Sequence, residues 1–343
     1  MKQTRLHSNL KKRKRLLWTL GLLVVAALIA IVWTYRALDP GRHFQAGDVP
    51  VLARPAVQTP APQTPAAKPP QTASLPQPSD TNTVTPSAFN VLLLGLDSAE
   101  ATISRTDVIM LAHVDPAKRT VHIVSIPRDT RVNLPGVGWT KINHAHVVGE
   151  LNGGEAEGTR MALQAVSNLF QVPIHYYVKT NFTGFQNLID QVGGLDVHLE
   201  DPLILTDQRR TIPAGTQHFD GDLALRFVRE RYSLPNGDFG RQEHQAVLLK
   251  ALVQKLLQPD QLNYLPERLL SLHQNQNLLD TNIQDSDLLS LAWMFKDMID
   301  NSFTHRSLPG HNFTAQDPLL QQELYYWNPD MDAIAQLVAE DFN

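Results

Sequence analysis

Residues 89–130 read FNVLLLGLDSAEATISRTDVIMLAHVDPAKRTVHIVSIPRDT, and this stretch decides the fold. NVLLLG, from Asn90 to Gly95, is a short apolar run bounded by turn residues, the pattern of a buried strand. Asp107 to Asp115 and Thr120 to Ile126 are two further strands, joined by the turn DPAKR. Downstream, helical patterns alternate with strands. Helices are expected over Glu155–Phe170, Phe182–Val192, Asp220–Arg231, Arg241–Leu257, Asp285–Met298 and Asp330–Phe342. Strands are expected at His175–Thr180 and Leu195–Leu199, with Pro127–Lys141 as loop. Interleaved helices and strands with one early hairpin imply an α/β fold, a three-layer α-β-α sandwich around a central mixed sheet.

Upstream, the chain changes character. KKRKR (Lys11 to Arg15) precedes an uncharged run, Leu16 to Tyr35. Its length, about 20 residues, suffices to cross the hydrocarbon of a bilayer as one helix. Trp18, Trp33 and Tyr35 stand near its ends, where interfacial aromatics sit. The excess of positive charge before it keeps the N-terminus in the cytoplasm and exports the rest. A cleaved signal peptide is the alternative, though no small-x-small cleavage site follows Tyr35. Asp39 to Ala88 is dense in Pro, Ala, Thr and Gln and reads as an extended tether. The expected organisation is a basic tail at 1–15, a membrane span at 16–35, a linker at 36–88 and one folded domain at 89–343 with a C-terminal helical extension. The chain would lie in the cell membrane as a single-pass protein with its domain outside.

Charge and composition exclude several functions. The chain carries net −4, and residues 1–36 hold eight Lys and Arg with no acid, so the remainder carries −12. Nucleic-acid binding needs a basic face in the cytoplasm, and only the short tail is available there. Without cysteine there are no disulfides, thiolate metal sites or cysteine catalysis. The Asn-Phe-Thr sequons at Asn181 and Asn312 are chance occurrences.

Against that acidic background, Arg229, Arg231 and Arg241 cluster in RFVRERYSLPNGDFGR. Guanidinium forks match phosphate oxygens bidentately, so the cluster reads as a clamp for phosphate or pyrophosphate. Arg229 and Arg231 do not share a helical face, so unwinding must bring them together. Gly237 to Gly240 then turns the chain and delivers Arg241 and Gln245, one helical turn apart. The plainer reading pairs these arginines with Glu230, Asp238 and Glu243 on the surface. Arg128, after a strand and a proline, sits on a strand-end loop, where open α/β sheets bind ligands, or pairs with Asp129. Asp97 follows the first strand and Asp107 opens the second. If those strands are neighbours, two carboxylates at one sheet edge suit Mg2+, or Mn2+ in its place, while Asp97 alone reads equally as a turn aspartate. Lys141 adds a point charge near such an anion site. His144 and His146, two apart, read as a polar helix start rather than metal ligands. MALQAVSNLF, FTGFQNLI and AVLLKALVQKLL are core faces or the walls of a lipid groove; the pattern alone does not separate the two.

Taken in order, GLDS with Asp97, Arg105-Thr106-Asp107, SIPRDT at Ser125–Thr130, KINHA from Lys141, GGLDV at Gly193–Val197, and RER followed by GDFGR and Gln245 resemble the LytR–CpsA–Psr family of cell-wall glycopolymer ligases. The resemblance covers roughly Phe89 to Leu257 and is expected to continue to the C-terminus. It implies that Asp97 and Asp107 bind Mg2+. It also implies that Arg105, Arg128, Arg229, Arg231 and Arg241, with Gln245 and Lys141 beside them, hold the pyrophosphate of a polyprenyl-linked glycan. Arg105, Arg128 and Asp107 would carry catalysis, and an apolar tunnel would hold the polyprenyl chain. The implied reaction moves a glycan phosphate from that carrier to a peptidoglycan sugar hydroxyl. One departure stands out: the family's Arg-Gln pair after GDFGR is His244-Gln245 here, and Arg226 offers itself as compensation. Hydrolysis of the same pyrophosphate, and non-catalytic binding of a lipid-linked glycan, are the competing functions.

Overall fold

The computed structural model describes residues 36–45, 49–56, 86–97, 104–258, 261, 264, 279–296 and 302–342. The expected membrane span and basic tail, and most of the proline-rich tether, lie outside the described residues. Among the described residues no helix is long and apolar enough to cross a membrane.

Strands β1 (Phe89–Leu96), β2 (Thr106–Asp115) and β3 (Thr120–Ser125) form an antiparallel meander, as their sequence pattern expects. β6 (Tyr176–Thr180) adds parallel to β1, and β11 (Asp280–Thr281) borders it antiparallel. β12 (Phe303–Ser307) runs parallel to β3 at the other edge. The result is a six-stranded mixed sheet of order β11-β6-β1-β2-β3-β12.

Successive side chains of a strand point to opposite faces, and both faces are covered. Leu92, Leu94, Ile109, Leu111 and Val124 pack on one side against Met161, Val166 and Leu169 of a helix over Glu155–Phe170, and against Ile334 and Leu337 of a C-terminal helix over Met331–Asp341. Val91, Met110, Ala112 and Ile123 pack on the other side with Met294 and Phe295 of a helix over Asp285–Phe295. A second apolar cluster lies beside the sheet. It joins Ile189 of a helix over Phe182–Gln191, Val197 of β7 (Leu195–Leu199), Phe219 of β10 (Gly215–Phe219), Phe227 of a helix over Gly221–Arg229 and Leu248 of a helix over Asp238–Leu256. The short hairpin β8 (Leu203–Leu205) with β9 (Arg210–Ile212) adds Leu205 and Ile212 to it.

Three sequence expectations need correction. Pro127–Lys141 is not loop throughout: β4 (Arg131–Leu134) and β5 (Gly138–Lys141) form a tight hairpin, with Gly136 and Gly138 both at positive φ. Its alternation is too short to stand out from loop. A second hairpin, β13 (Gly310–Asp317) with β14 (Gln322–Pro329), has no counterpart in the sequence reading. The two hairpins are joined by the Arg131 guanidinium, which lies between the rings of Trp139 (4.9 Å) and Phe313 (4.8 Å). Finally, the tether is shorter than its composition implies. Phe44 is fully buried, stacked on Phe89 at 4.8 Å and edge-on to Tyr176. Ala53 pairs with Ile174 as an isolated bridge, and the Ser87 N–H donates to the Phe44 carbonyl at 2.7 Å. A few large apolar residues anchor a segment whose average composition is that of a linker.

Replacing Phe44 by Ala removes a fully buried ring from a close-packed aromatic cluster. The expected cost is about 3–5 kcal/mol, measurable as a fall in the urea unfolding midpoint of the purified protein.

Candidate active site

The carboxyl ends of β1 and β6 open onto one cavity of about 580 Å³, closed on its other sides by the helices over Phe182–Gln191, Gly221–Arg229 and Asp238–Leu256. Ligands of open α/β sheets bind in this position. The cavity has two characters. Its polar lining includes Asp97, Asp107, Arg128, Arg229, Arg231, Arg241 and Gln245. Its apolar lining includes Met110, Val178, Phe185, Leu225, Leu249 and Leu252. Part of what the sequence leaves as core or groove is therefore cavity wall.

The acidic pair depends on a local irregularity. Gly95 pairs with Val108 and Leu96 pairs with Thr106, so Asp107 is the extra residue of a β-bulge. Bulges re-aim side chains, and this one delivers Asp107 to the cavity beside Asp97. Glycine permits the approach: a Cβ on Gly95 would meet the Val108 Cβ at 2.9 Å. Asp97 is held across the strand ends. Its N–H donates to the Arg105 carbonyl at 3.0 Å, and its carboxylate accepts from the Arg105 N–H at 2.9 Å.

The arginines arrive from three segments. Arg128 follows β3 and donates to Asp107 Oδ2 at 2.7 Å. The helix carrying Arg229 ends there, and Glu230 is extended (φ −63°, ψ 131°), which swings Arg231 toward the same cavity. Glu230 is buried, 5% exposed, and pairs with neither arginine side chain. Its Oε2 accepts from the Thr206 N–H (2.7 Å) and hydroxyl (2.9 Å); its Oε1 accepts from the N–H groups of Arg231 (2.9 Å), Tyr232 (2.8 Å) and Ser233 (3.1 Å). The surface-pair reading of Glu230 is thus wrong: the carboxylate builds the turn that splays two guanidiniums. Gly237, at φ 52°, opens the next helix, and Arg241 on its first turn ion-pairs with Asp238 at 2.6 Å.

Electrostatics reflect the convergence. Burial lowers the Arg241 pKa, as do the charges of Arg128 and Arg231, while Asp238 and Asp107 oppose the shift. Burial also works against the charge of Arg128, but Asp107, Asp129 and Asp238 together outweigh it and raise that pKa. Arg229 lies over the Phe182 ring at 4.4 Å, and Arg231 over Tyr232 at 4.7 Å. Among the described residues neither has a carboxylate partner, although Arg231 donates to the Tyr232 hydroxyl at 2.7 Å. The Nε atoms of Arg128 and Arg241 are buried without hydrogen-bond partners.

Asp107 Oδ1 is likewise buried and unpartnered. An orphaned carboxylate oxygen, in a cavity that a second carboxylate also lines, fits a hard divalent cation. Among the described residues no group of three or more His, Asp or Glu side chains could enclose a metal. Such an ion would take its remaining ligands from phosphate and water, as Mg2+ readily does.

Apart from Arg226, the remaining candidates fall outside the cavity lining. Arg105 is exposed and contributes through Asp97, 3.4 Å from its Nε. Lys141 donates to Asp129 at 2.6 Å, and Asp129 in turn lies 4.0 Å from Arg128 Nε. His144 and His146 are buried at the start of a helix over His144–Gly153, against Thr140 (2.7 Å) and the Ser104 carbonyl (3.1 Å). His244 stacks on Phe227 at 4.1 Å, and burial lowers its pKa. The His244 side chain therefore does not itself line the cavity. Arg226 lines the cavity but is bound to Asp207 and Asp222.

Known proteins share this architecture. The LytR_cpsA_psr family model matches residues 63–343. The chain belongs to the LytR–CpsA–Psr family. A polyisoprenyl-teichoic acid–peptidoglycan teichoic acid transferase TagU from Bacillus anthracis is 33% identical over 242 residues, 70% of this chain and 74% of that protein. Its counterpart from Enterococcus faecalis is 32% identical over 226 residues, 65% of this chain and 70% of that protein. Among solved structures, B. subtilis TagV superposes with a TM-score of 0.61 at 28% identity, covering 74% of this chain and 96% of that one. A structure of TagT bound to LIIa-WTA gives 0.59 at 25% identity, covering 74% and 89%.

Glu230→Gln removes a charge that five donors stabilise. The expected loss is about 1–3 kcal/mol of stability near neutral pH. Hydrogen bonds to the carboxylate outweigh burial and depress the Glu230 pKa. Its contribution is therefore complete above the unfolded value of about 4.3 and is lost as pH falls through the lower folded value. The gap between wild type and variant, followed by thermal unfolding from pH 7 to pH 3, should narrow in acid.

Proposed function

We propose that this chain transfers a glycan phosphate from a polyprenyl-pyrophosphate carrier to a sugar hydroxyl of peptidoglycan, outside the membrane to which its N-terminal span anchors it. One observation carries the reading: several guanidiniums and a large apolar wall line a single cavity. A lipid-linked pyrophosphate has that same division, a doubly anionic head on a hydrocarbon chain. Family membership supports the transferase class. The names of the relatives, polyisoprenyl-teichoic acid–peptidoglycan teichoic acid transferases, support the carrier and the acceptor.

The chemistry follows from charge. The acceptor oxygen attacks the phosphorus that bears the glycan; its bond to the bridging oxygen breaks, and polyprenyl phosphate leaves with the electron pair. Negative charge grows on the leaving phosphate. Arg229 and Arg231, without carboxylate partners among the described residues, meet that charge from one turn, and Arg128 and Arg241 meet it from the sheet end and the next helix. Donors placed in advance, in a partly dry cavity, stabilise such charge without reorganising. Asp97 and Asp107 would hold Mg2+, which when bound supplies further neutralisation of the phosphate oxygens. The apolar wall holds the carrier lipid and keeps water from the leaving group.

Arg128→Ala and Arg231→Ala should each lower transfer by about 100-fold or more, measured as labelled glycan attached to peptidoglycan. Full activity in both variants overturns the assignment. Free glycan phosphate as the sole wild-type product would make the protein a hydrolase instead. Asp97→Asn should raise the Mg2+ concentration needed for half-maximal activity, while leaving retention of the polyprenyl carrier unchanged.

A further inference from the structure

The hairpin β13–β14 has one buried and one outward face. Tyr326 and Asp317 face the core, with the Tyr326 hydroxyl donating to Asp317 at 2.6 Å. The alternate residues Asn312, Thr314, Gln316 and Tyr325 are exposed, and Trp327 is half-buried. Thr314 is directly opposite Tyr325, and Asn312 is directly opposite Trp327. The Tyr325 hydroxyl donates to Asn312 Oδ1 at 3.0 Å, which fixes the ring against the ladder.

This outward face runs into the candidate active site. Trp327 donates its backbone N–H to the Asp129 carbonyl at 2.9 Å and pairs with Thr130 as an isolated bridge, next to Arg128. Its ring meets Phe239 edge-on at 4.9 Å, and Phe239 stands between Asp238 and Arg241. Trp327 thus touches two of the three segments that supply cavity arginines, the Arg128 loop and the start of the Arg241 helix. Tyr325 is two residues away on the same face, about 7 Å along the strand, the scale of one sugar residue. Partial burial, together with the nearby carboxylates of Asp129 and Asp238, raises the Tyr325 pKa, so the hydroxyl stays neutral at physiological pH.

We propose that this face is the acceptor subsite, where a sugar ring of the peptidoglycan glycan stacks on Tyr325 while Asn312, Thr314 and Gln316 hydrogen-bond its hydroxyl and amide groups. The inference rests on the transferase reading above and adds to it the direction from which the attacking hydroxyl arrives. An exposed aromatic ring flanked by short amides and hydroxyls suits a neutral, hydroxyl-rich polymer, whose apolar ring faces pack on the aromatic and whose edges need partners. It does not suit the pyrophosphate donor, because no cation stands among those four residues. Continuity with the arginine loops places an acceptor bound here beside the phosphate clamp.

The test uses the full-length protein in detergent, a labelled polyprenyl-pyrophosphate glycan as donor and soluble, uncrosslinked peptidoglycan oligosaccharides as acceptor. Tyr325→Ala should raise the acceptor KM about fivefold or more, with donor retention and thermal midpoint unchanged. Tyr325→Trp should keep an acceptor KM close to wild type. Thr314→Glu, which puts a charge opposite the ring on an exposed strand, should raise the KM without unfolding. An acceptor KM within about twofold of wild type in both Tyr325→Ala and Thr314→Glu overturns the inference. If Arg128→Ala is inactive in that same assay, the transferase reading survives such a result; if Arg128→Ala transfers at full rate, the underlying reading falls instead.

Discussion

Like charges resist crowding, and the whole site is organised around that resistance. Besides Arg226, four guanidiniums line a single cavity. Two of them are charge-compensated from below: Arg128 by Asp107 and Arg241 by Asp238. The other two rest on aromatic faces, Arg229 on Phe182 and Arg231 on Tyr232. Compensation of one pair lowers the repulsion that the uncompensated pair must bear. The residual positive potential is directed at the one place where a pyrophosphate head would sit.

Holding that arrangement falls to groups that do not line the phosphate end as cations. Glu230 commits its whole carboxylate to backbone amides and a threonine hydroxyl, and so fixes a turn that repulsion between its flanking arginines would otherwise open. A buried carboxylate with that many donors is stable where an unpaired one would not be. Lys141 and Asp129 brace the loop that carries Arg128, and Trp327 locks that loop to the one that carries Arg241. The C-terminal hairpin therefore braces the candidate site, although its residues are distant in sequence from every family motif.

Much of the site is legible from residue types. A guanidinium cluster on an acidic domain has few explanations, and two aspartates at the ends of adjacent strands need only the meander to bring them to one edge. Some roles are not legible. Arg105 and Lys141 share the motifs of the cavity residues, yet the structure places both outside its lining, each bound to an aspartate. Glu230 resembles a surface partner for arginines because side-chain charge, not backbone geometry, is what a sequence displays. His244 reads as a lost cation until its ring is seen stacked on Phe227. Phe44 shows the same limit in packing: one ring in a proline-rich stretch carries no periodicity, yet it fills a core.

Period-two and helical patterning, turn residues and charge composition by themselves determined the mixed α/β class, the order of its main elements and the segments that bear the arginines, because these depend on local steric preference and on apolar residues leaving water. Only the tertiary structure decided the bulge that frees Asp107, the turn that splays Arg229 from Arg231, the hairpin beside the phosphate clamp and the anchoring of residues 40–56. Each of these is a contact between chain segments far apart in sequence, and its energy exists only once the sheet and its covering helices have brought both partners together.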